Sequence, residues 1–311
     1  MSRRDQVADM SKLSTPLKAF ISAPFARPGM VAAPKQIRSV YSTIQEDANS
    51  KGVGRSSWLT ISTAATMTMN SPESLAALFH TATLSGDTAS AVRTAELMRE
   101  VGLKCISFNG IPRTINCLGA FRASLPEDVV KGLSKAETRS LNPTYFLVTS
   151  LADIIIREPT TENINLIKAR GLGLWNSIYA PFETKLIDRL SDSHPDLPVH
   201  ILNSHYGPLL SDPSSPAPTV KIGRVLTSVV AIACLRAQTG VGPQVISHIF
   251  GLRKAFEDGS YKAEGEEDVE GAKWLASDEG NMWILESVDK VVEAIGGGRG
   301  TTFAPGYKAK L

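Results

Sequence analysis

The sequence predicts an all-α protein. Apolar residues recur at helical spacing along most of the chain after about residue 34, and proline and glycine stand at the ends of these segments. Short alternating patterns of the β type are nearly absent. With 311 residues, the chain can form one large domain or two halves packed together.

The helical pattern is clearest where cap residues mark its start. In residues 71–83, Ser71 is placed to cap a helix, Pro72 falls at its first position and Glu73 in its first turn. The same periodicity predicts further helices at 88–103, 111–125, 161–190, 222–238, 242–258 and 278–297, the last ended by glycines.

Composition divides the chain into four segments. Residues 1–33 form a basic arm rich in Ser, Ala and Pro, expected to be either poorly ordered or a mitochondrial targeting segment. Two helical halves are predicted at 34–150 and 151–295, followed by a flexible glycine-rich tail at 296–311.

The two halves share a weak internal similarity. Residues 110–121 and 242–256 each open a helix with glycine and proline and continue with the pattern Pro-x-x-Ile. This pattern indicates two pseudo-repeats of a helical hairpin. Coincidence is the alternative, since proline is common at helix starts.

Charge and cysteine usage exclude several classes of protein. The 33 basic and 31 acidic residues nearly cancel, so nucleic acid is not an expected partner. The longest apolar run, 225–235, is about half of the ~20 residues that a bilayer crossing requires, and it indicates a buried helix. The three cysteines form no Cys-x-x-Cys pair and no metal-ligand pattern is present, so neither a metal nor a cofactor is expected.

His248 is the main candidate for a functional residue. The apolar helix at 225–235 leads through a glycine turn into a second helix, on which Gln244 and His248 share one face. The hairpin returns that face toward Cys234, so burial should lower the pKa of the imidazole and make it a neutral base oriented by Gln244. The alternative is a core histidine bonded to a backbone carbonyl.

Residues 195–260 resemble the helical core of the carboxymuconolactone decarboxylase and AhpD-like superfamily, in which an apolar helix, a turn and a histidine-bearing helix form the signature. Residues 102–121 are similar to the corresponding first hairpin. The resemblance places His248 at the family histidine, and Val241 and Gln244 where the alkylhydroperoxide-reductase branch has its Cys-x-x-Cys. The acidic residue of that branch falls at about Val229.

The resemblance therefore implies a protein without thiol peroxidase activity, because nucleophilic and resolving thiols are missing. It implies instead a cofactor-free decarboxylase, isomerase or hydrolase of a small organic acid or thioester, with His248 as acid and base. A non-catalytic binding or scaffold protein that kept the fold is the alternative. The resemblance also implies a homo-oligomer, for which we expect a dimer or trimer.

Other residues are weaker candidates. A substrate cleft could be lined by His205, Tyr206 and Cys234, and a carboxylate could be bound by Arg113 and Asn116. The plain alternative for each is a buried core position or an ordinary polar contact of a helix.

The chain ends in Ala309, Lys310 and Leu311, a close variant of the Ser-Lys-Leu address that the peroxisomal import receptor reads. The tail and the resemblance to fungal peroxisomal members of the superfamily together predict a location in the peroxisome matrix. The basic arm leaves mitochondria as an additional location.

Overall fold

The computed structural model describes residues 13–135, 138–139, 161–213, 220–262 and 268–298, and within these ranges it contains helices and no strand. The all-α prediction is confirmed. The described residues up to Val31 form one compact unit, and those from Ala32 onward form another. In the first unit, the described part of the arm contains helix α1 (Thr15–Ile21), capped by the Ser14 side chain, and a short 3₁₀ turn (Pro24–Ala26).

The second unit carries the remaining helices, several of them within one residue of the predicted bounds. In chain order they are α2 (Ile37–Ser50), α3 (Arg55–Thr68), α4 (Pro72–Ala82), α5 (Thr88–Lys104), α6 (Ile106–Asn109), α7 (Ile111–Ser124), α8 (Glu127–Gly132), α9 (Thr161–Tyr179), α10 (Glu183–Ser193), α11 (Asp196–His200), a π-helix (Ile201–Leu210), α12 (Gly223–Gln238), α13 (Gly242–Glu257), α14 (Ala272–Leu275) and α15 (Asp278–Gly296).

One predicted helix is two in the structure. The stretch 161–190 breaks after Tyr179, where Ala180 and Pro181 separate α9 from α10. Proline has no N–H to donate and disfavours the helical conformation of the residue before it, which explains the break.

Helices α3 and α12 form the centre of the second unit. All side chains from Ser57 to Thr68 are buried, and so are those from Arg224 to Leu235. A helix buried on every side belongs to the interior of a bundle, in agreement with the prediction for the apolar run at 225–235. Among the described helices none is both long and apolar enough to cross a bilayer.

The two central helices begin in the same way. Arg55 on α3 donates to the carbonyl of Ala82 on the following helix α4, and Arg224 on α12 donates to that of Gly251 on α13, at 2.8 Å. Proline stands near the start of both α4 and α13. The hairpins α3–α4 and α12–α13 are therefore alike in their contacts, while the predicted pairing of 110–121 with 242–256 stays a prediction.

Two glycines allow α9 and the π-helix to approach closely. A Cβ on Gly171 would lie 2.6 Å from the backbone nitrogen of Gly207, and a Cβ on Gly207 would lie 2.8 Å from the carbonyl oxygen of Ile167. Both distances are shorter than van der Waals contact. This approach sets Tyr206 of the π-helix beside Trp175 and Tyr179 of α9.

Replacing Gly171 by alanine should therefore lower the free energy of unfolding by about 1–3 kcal/mol, because the added methyl group forces two backbones apart. A methyl group added to Gly173 on the same helix would meet no neighbouring atom within 4 Å, so Gly173→Ala should be neutral or stabilise by up to about 1 kcal/mol. Urea unfolding of both variants checks this. Equal effects of the two substitutions would contradict the close approach.

Candidate functional site

His248 lies on the inner face of α13, where the helix packs against α12 and α9. Its side chain is 6% exposed. The Nε2 atom lies 3.5 Å from the hydroxyl of Tyr179, and that hydroxyl lies 2.9 Å from the hydroxyl of Tyr206. We call these three residues the His–Tyr–Tyr cluster.

Aromatic rings enclose the cluster. The ring of Trp175 lies with its centroid 4.2 Å from that of Tyr179 and 5.0 Å from that of Tyr206. Phe108 meets the imidazole of His248 edge-on, with centroids 6.2 Å apart. These apolar walls exclude water from the hydroxyl and imidazole groups and strengthen the electrostatic interactions among them.

Burial keeps the cluster uncharged at neutral pH. It lowers the pKa of His248 to about 4, with the charge of Arg224 adding to the effect, and it raises the pKa of Tyr179 and of Tyr206. A neutral imidazole has one donor and one acceptor nitrogen, so Tyr179 either donates to Nε2 or accepts from it.

The second nitrogen of His248 is open to a further partner. Its Nδ1 atom is buried and has no hydrogen-bond partner among the residues that the structure describes. Several hydroxyl, amide and charged side-chain atoms of the described residues also lack a hydrogen-bond partner, but this one is an imidazole nitrogen that can exchange a proton, so it is where a ligand could bind.

Arg224 is a buried cation close to the cluster, with 8% of its surface exposed. Its guanidinium group donates to the Oγ of Ser177 at 2.8 Å, to the Oγ of Ser228 at 2.5 Å and to the carbonyl of Gly251 at 2.8 Å. It forms no ion pair within the described ranges, and burial lowers its pKa to about 10, so it stays charged at neutral pH.

The structure brings some of the predicted site residues together and leaves others apart. Tyr206 reaches His248 through Tyr179, whereas Gln244 is exposed one turn before His248 and makes no hydrogen bond to it. The Nδ1 of His205 lies 3.0 Å from the Oγ of Ser107, no hydrogen bond links this side chain to the cluster, and burial lowers the pKa of His205.

Two further predicted residues lie on α7 and contact the turn between α3 and α4. Arg113 donates to the carbonyl of Thr68, and the side-chain nitrogen of Asn116 lies 3.4 Å from the Oδ1 of Asn70. Their proposed carboxylate site is thus on a different hairpin from His248. The predicted targeting residues Ala309, Lys310 and Leu311 lie outside the described residues.

Cys234 has a thiol neighbour that the sequence does not reveal. Its Sγ lies 3.5 Å from the Sγ of Cys105, and both residues are fully buried and free. Burial raises the pKa of Cys105 well above its ordinary value and that of Cys117 to about 12. Such thiols stay protonated and are poor nucleophiles.

Sequence reasoning missed Tyr179 and Arg224. Trp175 and Tyr179 stand four residues apart on α9, which marks an aromatic helix face, and Arg224 is a lone cation at the start of an apolar helix. Within the described ranges, no three His, Cys, Asp or Glu side chains form a group that could hold a metal ion.

The chain is 32% identical over 161 residues to a protein of Saccharomyces cerevisiae named Peroxisomal protein 2. The match covers 49% of this chain and 52% of the yeast protein, so the chain spans about half the length of this curated relative. No protein-family model matches the chain. No solved structure matches it significantly.

Proposed function

We propose that this chain is a peroxisomal protein with the helical fold of the carboxymuconolactone decarboxylase and AhpD-like superfamily, in which His248 exchanges a proton with a small organic acid or thioester. The name of the yeast relative and the terminal Ala309-Lys310-Leu311 support the location and an interaction with the peroxisomal import receptor. The chemistry rests on one observation, the buried Nδ1 of His248 that has no partner among the described residues.

In this proposal the two imidazole nitrogens have different tasks. Tyr179 holds Nε2 and, with Tyr206, can accept or return a proton through the hydroxyl chain. Nδ1 faces the substrate. No metal or redox group takes part, and the protonated thiol of Cys105 agrees with the absence of thiol peroxidase activity.

An anionic substrate suits this arrangement. A base with a pKa of about 4 is weak at neutral pH, and both burial and the charge of Arg224 disfavour the imidazolium. A carboxylate bound beside His248 favours the charged form of the imidazole and raises its pKa toward the working range. The substrate itself would then activate the base.

The second candidate function is a non-catalytic binding or scaffold protein. The same low pKa and the 6% exposure of His248 favour it, because a packed core histidine has these properties too. In either case we propose a homo-oligomer, a dimer or trimer, which light scattering of the purified protein would establish.

The catalytic proposal predicts that wild-type protein releases CO2 from 4-carboxymuconolactone and that His248→Gln slows this release by about 10²–10⁴-fold. Glutamine keeps a hydrogen-bonding group near Tyr179 but cannot exchange a proton. The matched control is His194→Gln, which replaces an exposed histidine. This variant should release CO2 at the wild-type rate.

Equal turnover by wild type and His248→Gln would remove the catalytic role of His248. No turnover by the wild type would favour the non-catalytic candidate.

Location is tested separately by fusing a fluorescent protein to the N-terminus of the full chain. The fusion should co-localise with a peroxisomal marker, and deletion of residues 309–311 should abolish this; unchanged localisation after the deletion would contradict the targeting role.

A further inference from the structure

A cleft of ≈ 790 Å³ opens where helices α3, α5 and α12 begin. It is lined by residues of these three helices together with residues 220–222, 261–262 and 268–269, and His248 is not among them. Its volume is in the range of sites for cofactor-sized ligands. The charged side chains that line it are Arg55, Arg93, Lys221, Arg224, Lys262 and Asp268.

Cations dominate this lining. Asp268, the acidic residue among the described lining residues, is already paired with Lys262, with Nζ and Oδ1 2.7 Å apart. Arg93 and Lys221 are exposed and form no hydrogen bond or ion pair with the described residues. Cations held together in a cleft repel one another, and a bound anion relieves this repulsion.

Arg55 and Arg93 are close enough to repel each other. Burial lowers the pKa of Arg55, and the charge of Arg93 lowers it further. The guanidinium group of Arg55 is also fixed in place, because it donates to Thr94 at 2.7 Å and to the carbonyl of Ala82. A fixed guanidinium group next to an exposed one suits a ligand with several acceptor oxygens.

Two helix N-termini add to the positive potential. The first residues of α3 and of α12 both line the cleft, and the N-terminal end of a helix carries a partial positive charge. The N–H of Gly223 is already bonded to Asp212 at 2.6 Å, so the side chains supply most of the recognition.

The remaining wall suits an organic body rather than a bare ion. Apolar side chains such as Leu59, Leu97 and Val225 line it, together with Tyr261. The ring of Tyr261 is stacked on that of Phe256, with centroids 4.8 Å apart and planes 8° from parallel. A fixed aromatic ring at the edge of a cationic cleft offers a surface for a planar ligand group.

We propose that this cleft binds a small organic phosphate, with the phosphate held by Arg55, Arg93 and Lys221 and the organic body against Tyr261 and the apolar wall. A phosphate matches this set better than a single carboxylate because it carries more charge and more acceptor oxygens for forked guanidinium donors. The site is separate from the acid–base role of His248.

The probe for this site is ADP, titrated into the full-length protein by calorimetry at low ionic strength. ADP should bind, and adenosine and succinate should bind at least about tenfold more weakly, because the charged contacts to phosphate are lost. Replacing Arg93 and Lys221 by glutamine should weaken ADP binding by about tenfold each. Both side chains are exposed, so the fold should be kept.

The matched controls are Arg189→Gln and Lys185→Gln, which remove exposed cations of the same type elsewhere and should bind ADP as wild type does. His248→Gln should also bind ADP normally, which separates this site from the proposed chemistry. The proposal is overturned if ADP does not bind, if adenosine or succinate binds as tightly as ADP, or if the Arg93 and Lys221 variants bind like the controls.

Discussion

Replacing Asp212 by asparagine is expected to lower the free energy of unfolding by about 3–5 kcal/mol, because it leaves a buried ammonium group without its carboxylate. Lys104 is 0% exposed, and its Nζ lies 2.7 Å from the Oδ1 of Asp212. The same carboxylate accepts from the N–H of Gly223 at 2.6 Å. The pair thereby joins the end of α5 to the start of α12.

The pKa shifts of Lys104 and Asp212 show that each residue depends on the charge of the other. Burial lowers the pKa of Lys104, and the charge of Asp212 offsets this only in part. Burial alone would raise the pKa of Asp212, but the charge of Lys104 lowers it below its ordinary value. A lowered carboxyl pKa stabilises the folded state above the unfolded-state pKa of about 3.9, and this stability is lost as pH falls through the folded-state pKa.

Urea unfolding at pH 7 measures the effect. The matched control is Asp289→Asn, which breaks the partly exposed ion pair with Arg236 and should cost about 1 kcal/mol or less. Replacing Lys104 by methionine together with Asp212 by leucine should restore much of the lost stability, because no unpaired charge remains. A loss for Asp212→Asn as small as that for Asp289→Asn would contradict the buried pair.

The second prediction with a large expected effect is that His248 makes the folded protein less stable in acid. As pH falls from 6.5 to 4, wild-type protein should lose about 3 kcal/mol more unfolding free energy than His248→Gln. In this window the unfolded chain binds a proton at the imidazole and the folded protein, with a pKa of about 4, does not. The contribution of His248 to the free energy of unfolding therefore rises with pH through this window and is fully present above the unfolded-state pKa.

The measurement is urea unfolding at pH 6.5, 5 and 4 for wild type, His248→Gln and the exposed control His194→Gln. Carboxylates contribute equally to all three proteins, so the difference isolates the imidazole. The control should follow the wild type. Parallel pH profiles of His248→Gln and wild type would show that His248 titrates normally in the folded state.

Local signals in the sequence predict most of the second unit. Helix α12 is predicted at 222–238 and spans Gly223–Gln238, and α13 is predicted at 242–258 and spans Gly242–Glu257. Glycine and proline at the intervening turn act on backbone conformation directly, so they can be interpreted without knowledge of the packing. Burial of His248 follows from the apolar neighbour helix in the same way.

The partners of His248 could not be predicted from the same signals. Tyr179 is 69 residues away in sequence and reaches the imidazole only because α9 packs on α13. Gln244 is predicted as a partner from its spacing of four, yet the buried face of α13 continues toward Gly251 and Ala255, beyond His248 rather than before it. Spacing identifies a shared face but does not show where that face leaves the core.

Buried charges are the other feature that the sequence does not predict. Lys104 and Arg224 look in the sequence like ordinary polar residues of helices, and only the packed structure shows that they are enclosed. The groups that bind them come from distant segments: the carboxylate of Asp212 for Lys104, and the neutral acceptors of Ser177 and Gly251 for Arg224. Long-range packing of this kind leaves no local periodicity.

The imidazole of His248 itself gives the most direct test of the account. Its pKa can be followed by NMR titration of the histidine ring in wild-type protein, with the signal assigned by its absence from His248→Gln. We predict a neutral ring at pH 6 and a midpoint near pH 4. A midpoint at or above the ordinary value of about 6.5 would show a hydrated side chain and contradict the enclosed His–Tyr–Tyr cluster.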